Sequence, residues 1–311
     1  MEEINYIFKT NNLTKKYKEQ YALNNVNMHI EKGDIYGFVG ENGAGKTTVI
    51  RLICGLISPT EGSFELFGVD NKDKGILAVR RKINGIVEAV SINKNMTALD
   101  NLKFQCMICN LKKSNEELED LLDSVGLKHN DIKNKFTNDF SLGMRQRLGL
   151  AIAMLSNPEF IILDEPMNGL DPQGFIDVRE AIIRLNKMGV TFLIASHILT
   201  ELDKVCNRIG FISHGVILEE LTIDELHHKA RRKIQIKNKA IELLKNKLIA
   251  EFGLKEILIE NNTLFIYDDI DINVIMRFLV NNDITVEEIG IKQDTIEDYY
   301  ISLIVGGNRN A

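Results

Sequence analysis

Short apolar runs along the chain predict buried strands, and the segments between them have helical spacing. The runs Ile35–Val39, Phe160–Leu163 and Val190–Ile194 have the length and unbroken apolar character of strands that are covered on both faces. Behind the first run, the apolar residues from Val49 to Leu56 repeat at helical spacing, and residues 98 to about 138 are also helical in pattern. These patterns predict an α/β fold.

The C-terminal part of the chain predicts a second, smaller domain. Thr222 begins a segment that resembles a capped helix, because Glu225 follows it three residues later, and the helix is expected to reach Ala230. Further strands are predicted at 257–259, 264–267 and 285–289, with a helix over 274–279. We therefore expect a small α/β accessory domain that runs to about Ile304.

The sharpest motif lies between the first strand and the helix that follows it. Residues 40–48 match the pattern G-x-x-x-x-G-K-[ST], whose glycines let backbone N–H groups approach a polyphosphate at a helix N-terminus. Lys46 would pair with the β- and γ-phosphates, and the Thr47 hydroxyl would hold Mg²⁺. A glycine-rich turn that binds nothing is the disfavoured alternative. The candidate phosphate-binding residues are Gly40, Asn42, Gly43, Gly45, Lys46, Thr47 and Thr48.

Two acids follow the second predicted strand. At its C-terminal end, Asp164 would complete the Mg²⁺ shell, usually through water. Glu165, the next residue, would polarise the attacking water as a general base. A strand that merely ends in an acidic turn is the alternative, and the presence of the phosphate-binding loop argues against it. The sequence therefore predicts binding and hydrolysis of a nucleoside triphosphate.

A third segment, Ser141-Leu142-Gly143, opens an Arg- and Gln-rich helix. The Ser141 hydroxyl and the Gly143 N–H can donate to phosphate at the helix N-terminus. An ordinary helix N-cap explains the same residues equally well, so the segment by itself leaves both interpretations open.

Ser-x-Gly shortly before a strand that ends in Asp-Glu-Pro resembles the signature of the ATP-binding cassette (ABC) ATPases, and the resemblance covers roughly Ile7 to Glu219. Tyr17 resembles the aromatic residue that stacks on adenine in this family, although a core tyrosine is the alternative. Residues 168–171 resemble the D-loop, which crosses the dimer interface. His197, after the third strand, resembles the switch histidine that contacts the γ-phosphate.

The resemblance implies an architecture and an assembly. Residues 1–221 would form the nucleotide-binding domain, with a RecA-like core, an antiparallel β subdomain and a helical subdomain at about 89–157, and residues 222–311 the accessory domain. Two cassettes, as a homodimer or a pair, would pack head to tail with ATP between one phosphate-binding loop and the partner's Ser141 and Gly143. The implied catalytic residues are Glu165, His197 and Lys46.

Two departures from the common family pattern narrow the resemblance. Glu88 stands where most cassettes carry Gln, and Met144 stands where most signatures end in Gln. Both substitutions resemble the cassettes of bacitracin-efflux and lantibiotic-immunity exporters. We therefore expect an ATP-hydrolysing exporter subunit for a peptide antibiotic or similar amphipathic compound, with Glu88 joining Thr47 and Asp164 as a candidate Mg²⁺ ligand.

Charge and hydropathy bound the location and the partners. The 311 residues carry a formal net charge of -6, which argues against general nucleic-acid binding. The N-terminus is acidic and does not resemble a secretory signal. No apolar run approaches the roughly 20 residues that span a bilayer. We expect a cytoplasmic protein, peripheral at the inner face of the membrane, that works with a separate transmembrane permease.

A pair of cysteines and a cluster of basic residues are each interpreted as structural and not as a binding site. Cys106 and Cys109 have C-x-x-C spacing, but no second pair completes a zinc set, so we expect buried helix cysteines. The basic residues between Lys229 and Lys239 would contact anionic lipid head groups or, as we prefer, form a solvated alternating surface.

A soluble ABC ATPase that acts on nucleic acid or ribosomes is the alternative function. Such relatives usually carry two cassettes in one chain, or a long coiled-coil or zinc insertion, and this chain has neither. An ATP sensor with little turnover is a third class, which the presence of Glu165 and His197 argues against. The sequence does not name the cargo.

Overall fold

The computed structural model describes residues 6–86, 91–230, 232–238, 240–260, 262–293 and 295–307. The chain forms two compact units, residues 1–224 and 225–311. The elements of the first unit are, in chain order, β1 (Tyr6–Tyr17), β2 (Gln20–Val26), β3 (His29–Glu31), β4 (Ile35–Val39), α1 (Lys46–Ile53), β5 (Glu61–Leu66), β6 (Val69–Asp70), α2 (Ile76–Val79), β7 (Ile83–Ile86), α3 (Ala98–Ile108), α4 (Asn115–Ser124), α5 (His129–Ile132), α6 (Leu142–Met154), β8 (Phe160–Asp164), α7 (Pro172–Lys187), β9 (Thr191–Ser196), α8 (Leu199–Leu202), β10 (Arg208–Ser213) and β11 (Val216–Thr222). Helix α9 (Ile223–Lys229) spans the sequence boundary between the units.

A six-stranded sheet forms the centre of the first unit, in the order β11-β10-β4-β9-β8-β7. All neighbours are parallel except β10 and β11, which pair as an antiparallel hairpin. Strands β4 and β9 are buried along their whole length, as their unbroken apolar sequences predict. Because β4, β8 and β9 are parallel, their carboxyl ends meet at one edge of the sheet, where ligands bind in open α/β folds.

Helix α1 lies between this sheet and a second, antiparallel one. The second sheet has the order β2-β1-β5-β6, with β3 also paired to β1. Val49 and Ile50 of α1 share one continuous core with Phe8 of the antiparallel sheet and with Phe160 and Leu193 of the central sheet. The helix that follows the phosphate-binding loop is therefore held from two sides, which fixes the direction of its N-terminus.

The predicted helical region is confirmed as separate helices. It contains α3, α4 and α5, and a capping box at Ser114 and Glu117 starts α4. The expectation of two buried helix cysteines is wrong for one of them. Cys106 is buried within α3, whereas Cys109 follows the last turn of this helix and is exposed.

The second unit follows a β-α-β-β-α-β order, the split βαβ arrangement of ferredoxin-like domains. Its sheet has the order β13-β14-β12-β15, and all neighbours are antiparallel. Ile234, Ile236, Leu244, Leu264 and Ile275 are among the residues of its core. The elements are β12 (Arg232–Lys237), α10 (Ile241–Phe252), β13 (Ile257–Glu260), β14 (Thr263–Ile266), α11 (Ile272–Asn281), β15 (Glu288–Gln293) and α12 (Ile296–Gly307).

Sequence reasoning missed three elements of this unit, β12, α10 and α12, and misplaced a fourth. Strand β12 was not predicted because its basic residues indicated a solvent-exposed segment. Ile234 and Ile236, which alternate with them, point toward the core. Helix α10 was missed, and the strand predicted at 285–289 begins at Glu288 instead, where pairing with Lys237 starts.

The expected solvated basic surface is wrong for Lys233. This residue is 8% exposed; its Nζ donates to Tyr267 Oη at 3.3 Å and lies 4.7 Å from the centre of the Phe265 ring. Lys237 is exposed but forms an ion pair with Glu288 at 2.7 Å. Arg231, Lys239 and the side chain of Lys229 lie outside the described residues.

Candidate functional site

The loop between β4 and α1 has a conformation that its glycines make accessible. Gly45 has φ +117°, and a Cβ at this position would lie 2.8 Å from the carbonyl oxygen of Ala22. Both the dihedral and the close approach favour glycine. The Gly215 N–H, in the β10–β11 turn, donates to Ala44 O at 2.9 Å, which anchors the loop to the hairpin.

Lys46, the first residue of α1, is 6% exposed and lies against the loop itself. Its Nζ donates to Gly40 O at 2.6 Å and to Glu41 O at 3.3 Å. The Glu165 Oε1 atom lies 3.8 Å from the same amine. These partners compensate the buried positive charge and hold the ammonium beside the loop. An anion bound in the loop would accept stronger hydrogen bonds from this ammonium than the two backbone carbonyls do.

Thr47 and Asp164 meet across the gap between α1 and β8. The Thr47 Oγ1 atom lies 3.3 Å from Asp164 Oδ2, and the hydroxyl donates to the carboxylate. A hydroxyl and a carboxylate oxygen are hard donors of the kind that Mg²⁺ prefers, so this pair fits a magnesium ion. Glu88, the third candidate metal ligand, lies outside the described residues.

Glu165 lies at the centre of a second cluster. Its Oε1 and Oε2 atoms are each 3.0 Å from His197 Nδ1, and the Ser196 hydroxyl donates to Oε2 at 3.1 Å. The Ile198 N–H in turn donates to Ser196 Oγ at 3.1 Å. These contacts hold the carboxylate in one orientation at the carboxyl ends of β8 and β9.

The backbone of Glu165 is left-handed, with φ +49°, which is unusual for a residue other than glycine. Its N–H donates to Ala195 O on β9 at 2.8 Å, so the neighbouring strand holds this conformation. Strained backbone of this kind costs of the order of 1–3 kcal/mol and is concentrated at functional sites.

The phosphate-binding loop and the two acids at the end of β8 line a cavity of about 740 Å³, large enough for a nucleotide. The predicted site residues that line it are Asn42, Gly43, Gly45, Lys46, Thr47, Thr48, Asp164 and Glu165. Lys94, Arg145 and Gln146 also line it and were missed by sequence reasoning. The Arg-rich start of α6 was a signal for Arg145, whereas Lys94 has no motif around it.

Among the described residues, five other predicted site residues are not part of the lining of this cavity: Tyr17, Gly40, Ser141, Gly143 and His197. Ser141 is the N-cap of α6 and accepts a hydrogen bond from Met144 N at 3.2 Å. Gly143 is buried, and a Cβ there would lie 3.1 Å from Gly174 Cα in α7. Its lack of a side chain therefore lets α6 and α7 approach closely.

Tyr17 and Gly40 are also absent from the lining. Tyr17, at the end of β1, is 46% exposed, and Lys15 Nζ lies 5.2 Å from the centre of its ring. The core-tyrosine alternative is therefore wrong. Gly40 is buried beneath the loop, where a Cβ would lie 2.5 Å from Ile212 O.

No helix in the described ranges is long and apolar enough to cross a membrane. The family model described as "ABC transporter" matches residues 23–168, a span that contains the phosphate-binding loop, the start of α6, Asp164 and Glu165.

Three known proteins are informative relatives. The bacitracin transport ATP-binding protein BcrA of Bacillus licheniformis is 39% identical over 97% of this chain and 98% of its own length. The lantibiotic transport ATP-binding protein SrtF of Streptococcus pyogenes is 41% identical over 70% of this chain and 92% of its own. A dimeric post-hydrolysis structure of the ATP-binding cassette MJ0796 with ADP and Pi is 26% identical, covers 70% of this chain and 98% of that one, and superposes with a TM-score of 0.59.

The predicted α/β cassette fold and the predicted family are confirmed by these matches. The match at 39% identity extends along nearly the whole of both chains, so it includes the central sheet, the phosphate-binding loop and the acidic strand end. The chain belongs to the ABC transporter ATP-binding proteins, the ATPases of this transporter family.

Proposed function

We propose that this chain powers the efflux of a peptide antibiotic or similar amphipathic compound through a separate membrane subunit. The observation that carries this proposal is the match to the bacitracin transport protein, which extends over 97% of the chain and therefore includes the C-terminal unit. The match to the lantibiotic transport protein supports the same class of cargo.

Lys46 and the loop amides would hold the phosphates of ATP. The Lys46 ammonium now donates to two loop carbonyls, which are neutral acceptors. Phosphate oxygens are charged and accept stronger hydrogen bonds, so they would take over these contacts. Tyr17 is exposed enough to stack against adenine, a contact worth roughly 1–3 kcal/mol.

Thr47 and Asp164 would hold Mg²⁺, with Glu88 as a further candidate ligand. Bound there, the ion would neutralise part of the phosphate charge as the phosphoryl group is transferred. The Thr47 hydroxyl can turn its lone pairs outward, and Asp164 offers an anionic oxygen 3.3 Å away.

Glu165 would act as the general base and His197 as its partner. The carboxylate lies at the cavity wall and accepts from Ser196, so its orientation is fixed before water arrives. A base held this way accepts the proton of an attacking water without further reorganisation. His197 Nδ1, bonded to the same carboxylate, leaves Nε2 available for a γ-phosphate oxygen.

A second cassette would complete the site. Ser141 and Gly143 do not line the cavity of their own chain, and the Ser141 hydroxyl is exposed at the start of α6. In a head-to-tail dimer, as a homodimer or a pair, they would reach the ATP of the partner. The dimeric MJ0796 cassette is similar in fold over 98% of its length, which supports this arrangement. With its permease, such a dimer would lie at the inner face of the membrane.

The hydrolytic part of the proposal is tested by Glu165→Gln. This change keeps the size of the side chain and removes the base, so we expect the steady-state ATPase rate to fall by about 10²–10⁴ while ATP binding survives. Glu180→Gln, at an exposed position in α7, is the matched control and should leave the rate unchanged. A rate near that of the native chain would remove Glu165 from the role of base.

The transport part is tested by purification from native membranes. A polytopic membrane protein should co-purify with the tagged chain, and expression of both should raise resistance to bacitracin or a lantibiotic. Recovery of ribosomes or DNA-bound proteins without a membrane protein would contradict the exporter assignment and leave the ATPase site intact.

A further inference from the structure

Strand β15 is an open edge of the C-terminal sheet. It is the last strand in the order β13-β14-β12-β15, and within the described part of the chain it pairs with β12 alone. Glu288 and Lys292 are exposed, Ile291 is 45% exposed, and a Cβ at Gly290 would meet no atom within 4 Å. Exposed edge strands present unpaired backbone groups, and natural proteins usually protect them.

The hydrogen-bond pattern determines which backbone groups face outward. Tyr267 N donates to Glu256 O, and this bond continues the β13–β14 register, so the alternate residues Leu264 and Ile266 bond toward β12. Their partners Ile236 and Ile234 use their own groups on that side, which leaves Lys233, Gln235 and Lys237 to bond toward β15.

Those three residues pair with Lys292, Gly290 and Glu288 of β15. By the same alternation, the N–H and C=O groups of Ile289 and Ile291 point away from β12, toward the open edge. An incoming antiparallel strand would therefore form its hydrogen-bonded pairs at these two isoleucines.

The sequence of this edge is complementary to itself. An antiparallel partner with Gly290 opposite Gly290 would place Glu288 opposite Lys292, and Ile289 opposite Ile291, on both sides of the twofold axis. In this register the outward backbone groups of Ile289 and Ile291 meet as hydrogen-bonded pairs. The charged residues fall in the more closely spaced, non-hydrogen-bonded pairs.

We propose that two copies of this chain associate through β15, which joins the two C-terminal sheets into one continuous antiparallel sheet. The contact is isologous, so each strand presents the same residues to the other. It adds a strand to an exposed edge by main-chain hydrogen bonds, with alternate side chains giving specificity. Its residues all belong to the C-terminal unit and include none of the candidate nucleotide-binding residues, so we expect it to form without nucleotide.

Side chains and not only backbone favour this register. Ile289 already packs against the core of its own unit, and Ile291 of the partner would extend that apolar surface. Glu288 is bonded to Lys237 at 2.7 Å and to Gln235 at 3.0 Å, and a partner's Lys292 would approach it from the other side. Opposite charges on both sides of one carboxylate disfavour a shifted register.

Disulfide trapping at the axis tests the proposal. In the full chain without nucleotide or Mg²⁺, Gly290→Cys would place two thiols in a non-hydrogen-bonded pair, about 4.5 Å apart at Cα, within the range that a disulfide spans. We expect a covalent dimer under mild oxidation. Leu258→Cys, on the opposite edge strand β13 and 53% exposed, is the matched control and should give none above the native chain.

Charge reversal gives an independent test that a folding defect cannot mimic. Glu288→Lys and Lys292→Glu each place like charges opposite one another twice. The dimer dissociation constant of each variant alone, measured by sedimentation velocity, should therefore rise by roughly tenfold or more. An equimolar mixture restores both opposite-charge pairs and should recover the dimer. A native chain that stays monomeric, or a mixture no tighter than its components, would overturn the proposal.

Discussion

The left-handed backbone of Glu165 leads us to predict that replacement by glycine gives a more stable chain than replacement by alanine, although both remove the same carboxylate. With φ +49°, this residue occupies a region that costs L-residues roughly 1–2 kcal/mol and costs glycine little. Glu165→Ala and Glu165→Gly both remove the carboxylate and its contacts with Ser196 and His197. The two variants therefore differ mainly in how well each tolerates this backbone conformation.

The magnitude follows from two opposing terms. Glycine avoids about 1–2 kcal/mol of strain, and it loses about 0.5–1 kcal/mol more conformational entropy on folding than alanine does. The glycine variant should therefore be the more stable by about 0.5–1 kcal/mol. For a unit the size of residues 1–224, 1 kcal/mol corresponds to a difference of roughly 2–4 °C in Tm.

Thermal unfolding without nucleotide, followed by calorimetry, measures this difference. A second pair of variants, Glu180→Ala and Glu180→Gly, tests a regular exposed position in α7, where alanine should be the more stable by about 0.5–1 kcal/mol. The sign should therefore reverse between the two sites. If Glu165→Ala equals or exceeds Glu165→Gly in Tm, the strain argument is refuted.

Two further predictions concern titration and thiol reactivity. The Glu220 carboxylate lies 3.3 Å from His29 Nδ1, and its hydrogen bond raises the pKa of His29 above its usual value near 6.5. This interaction contributes its full stability below that value, and the contribution is lost as the pH rises through the pKa of His29 in the folded chain. The excess unfolding free energy of the native chain over His29→Gln should therefore shrink as urea melts move to higher pH, and a constant or growing difference would contradict this sign. Burial raises the pKa of the Cys206 thiol well above its usual range, whereas Cys109 is exposed. A thiol reagent near pH 8 should label Cys109 in the native chain and Cys206 only after unfolding, as peptide mapping would show.

The candidate site residues could be predicted from the sequence because each is tied to local order along the chain. The phosphate-binding loop needs a strand, glycines, Lys46 and a helix in succession, and all of these are contiguous. Asp164 ends, and Glu165 follows, a strand whose apolar run of four residues, Phe160–Leu163, is visible in the sequence. Chemistry that depends on neighbours in the chain leaves a motif.

Residues that reach the site from other elements leave no such motif. Lys94 precedes α3 and Gln146 lies within α6, and both line the cavity only because the folded chain brings these segments to the phosphate-binding loop. Strand β12 was missed because its basic residues suggested a solvent-exposed segment, whereas Lys233 is covered by Phe265 of β14 and by Tyr267, which follows β14. Only pairing across the sheet decides whether such a side chain is exposed.

Local spacing and backbone propensity specify the α/β class, the nucleotide-binding loop and the acidic strand end, so these features can be predicted from the order of residues along the chain. The folded structure is needed for every feature that depends on segments distant in the chain. It brought Glu165 within 3.0 Å of His197 across two strands, and gave Glu165 a left-handed backbone that its residue type disfavours. It also left β15 at the edge of its sheet, since strand order follows from packing a whole core and not from the residues of one strand.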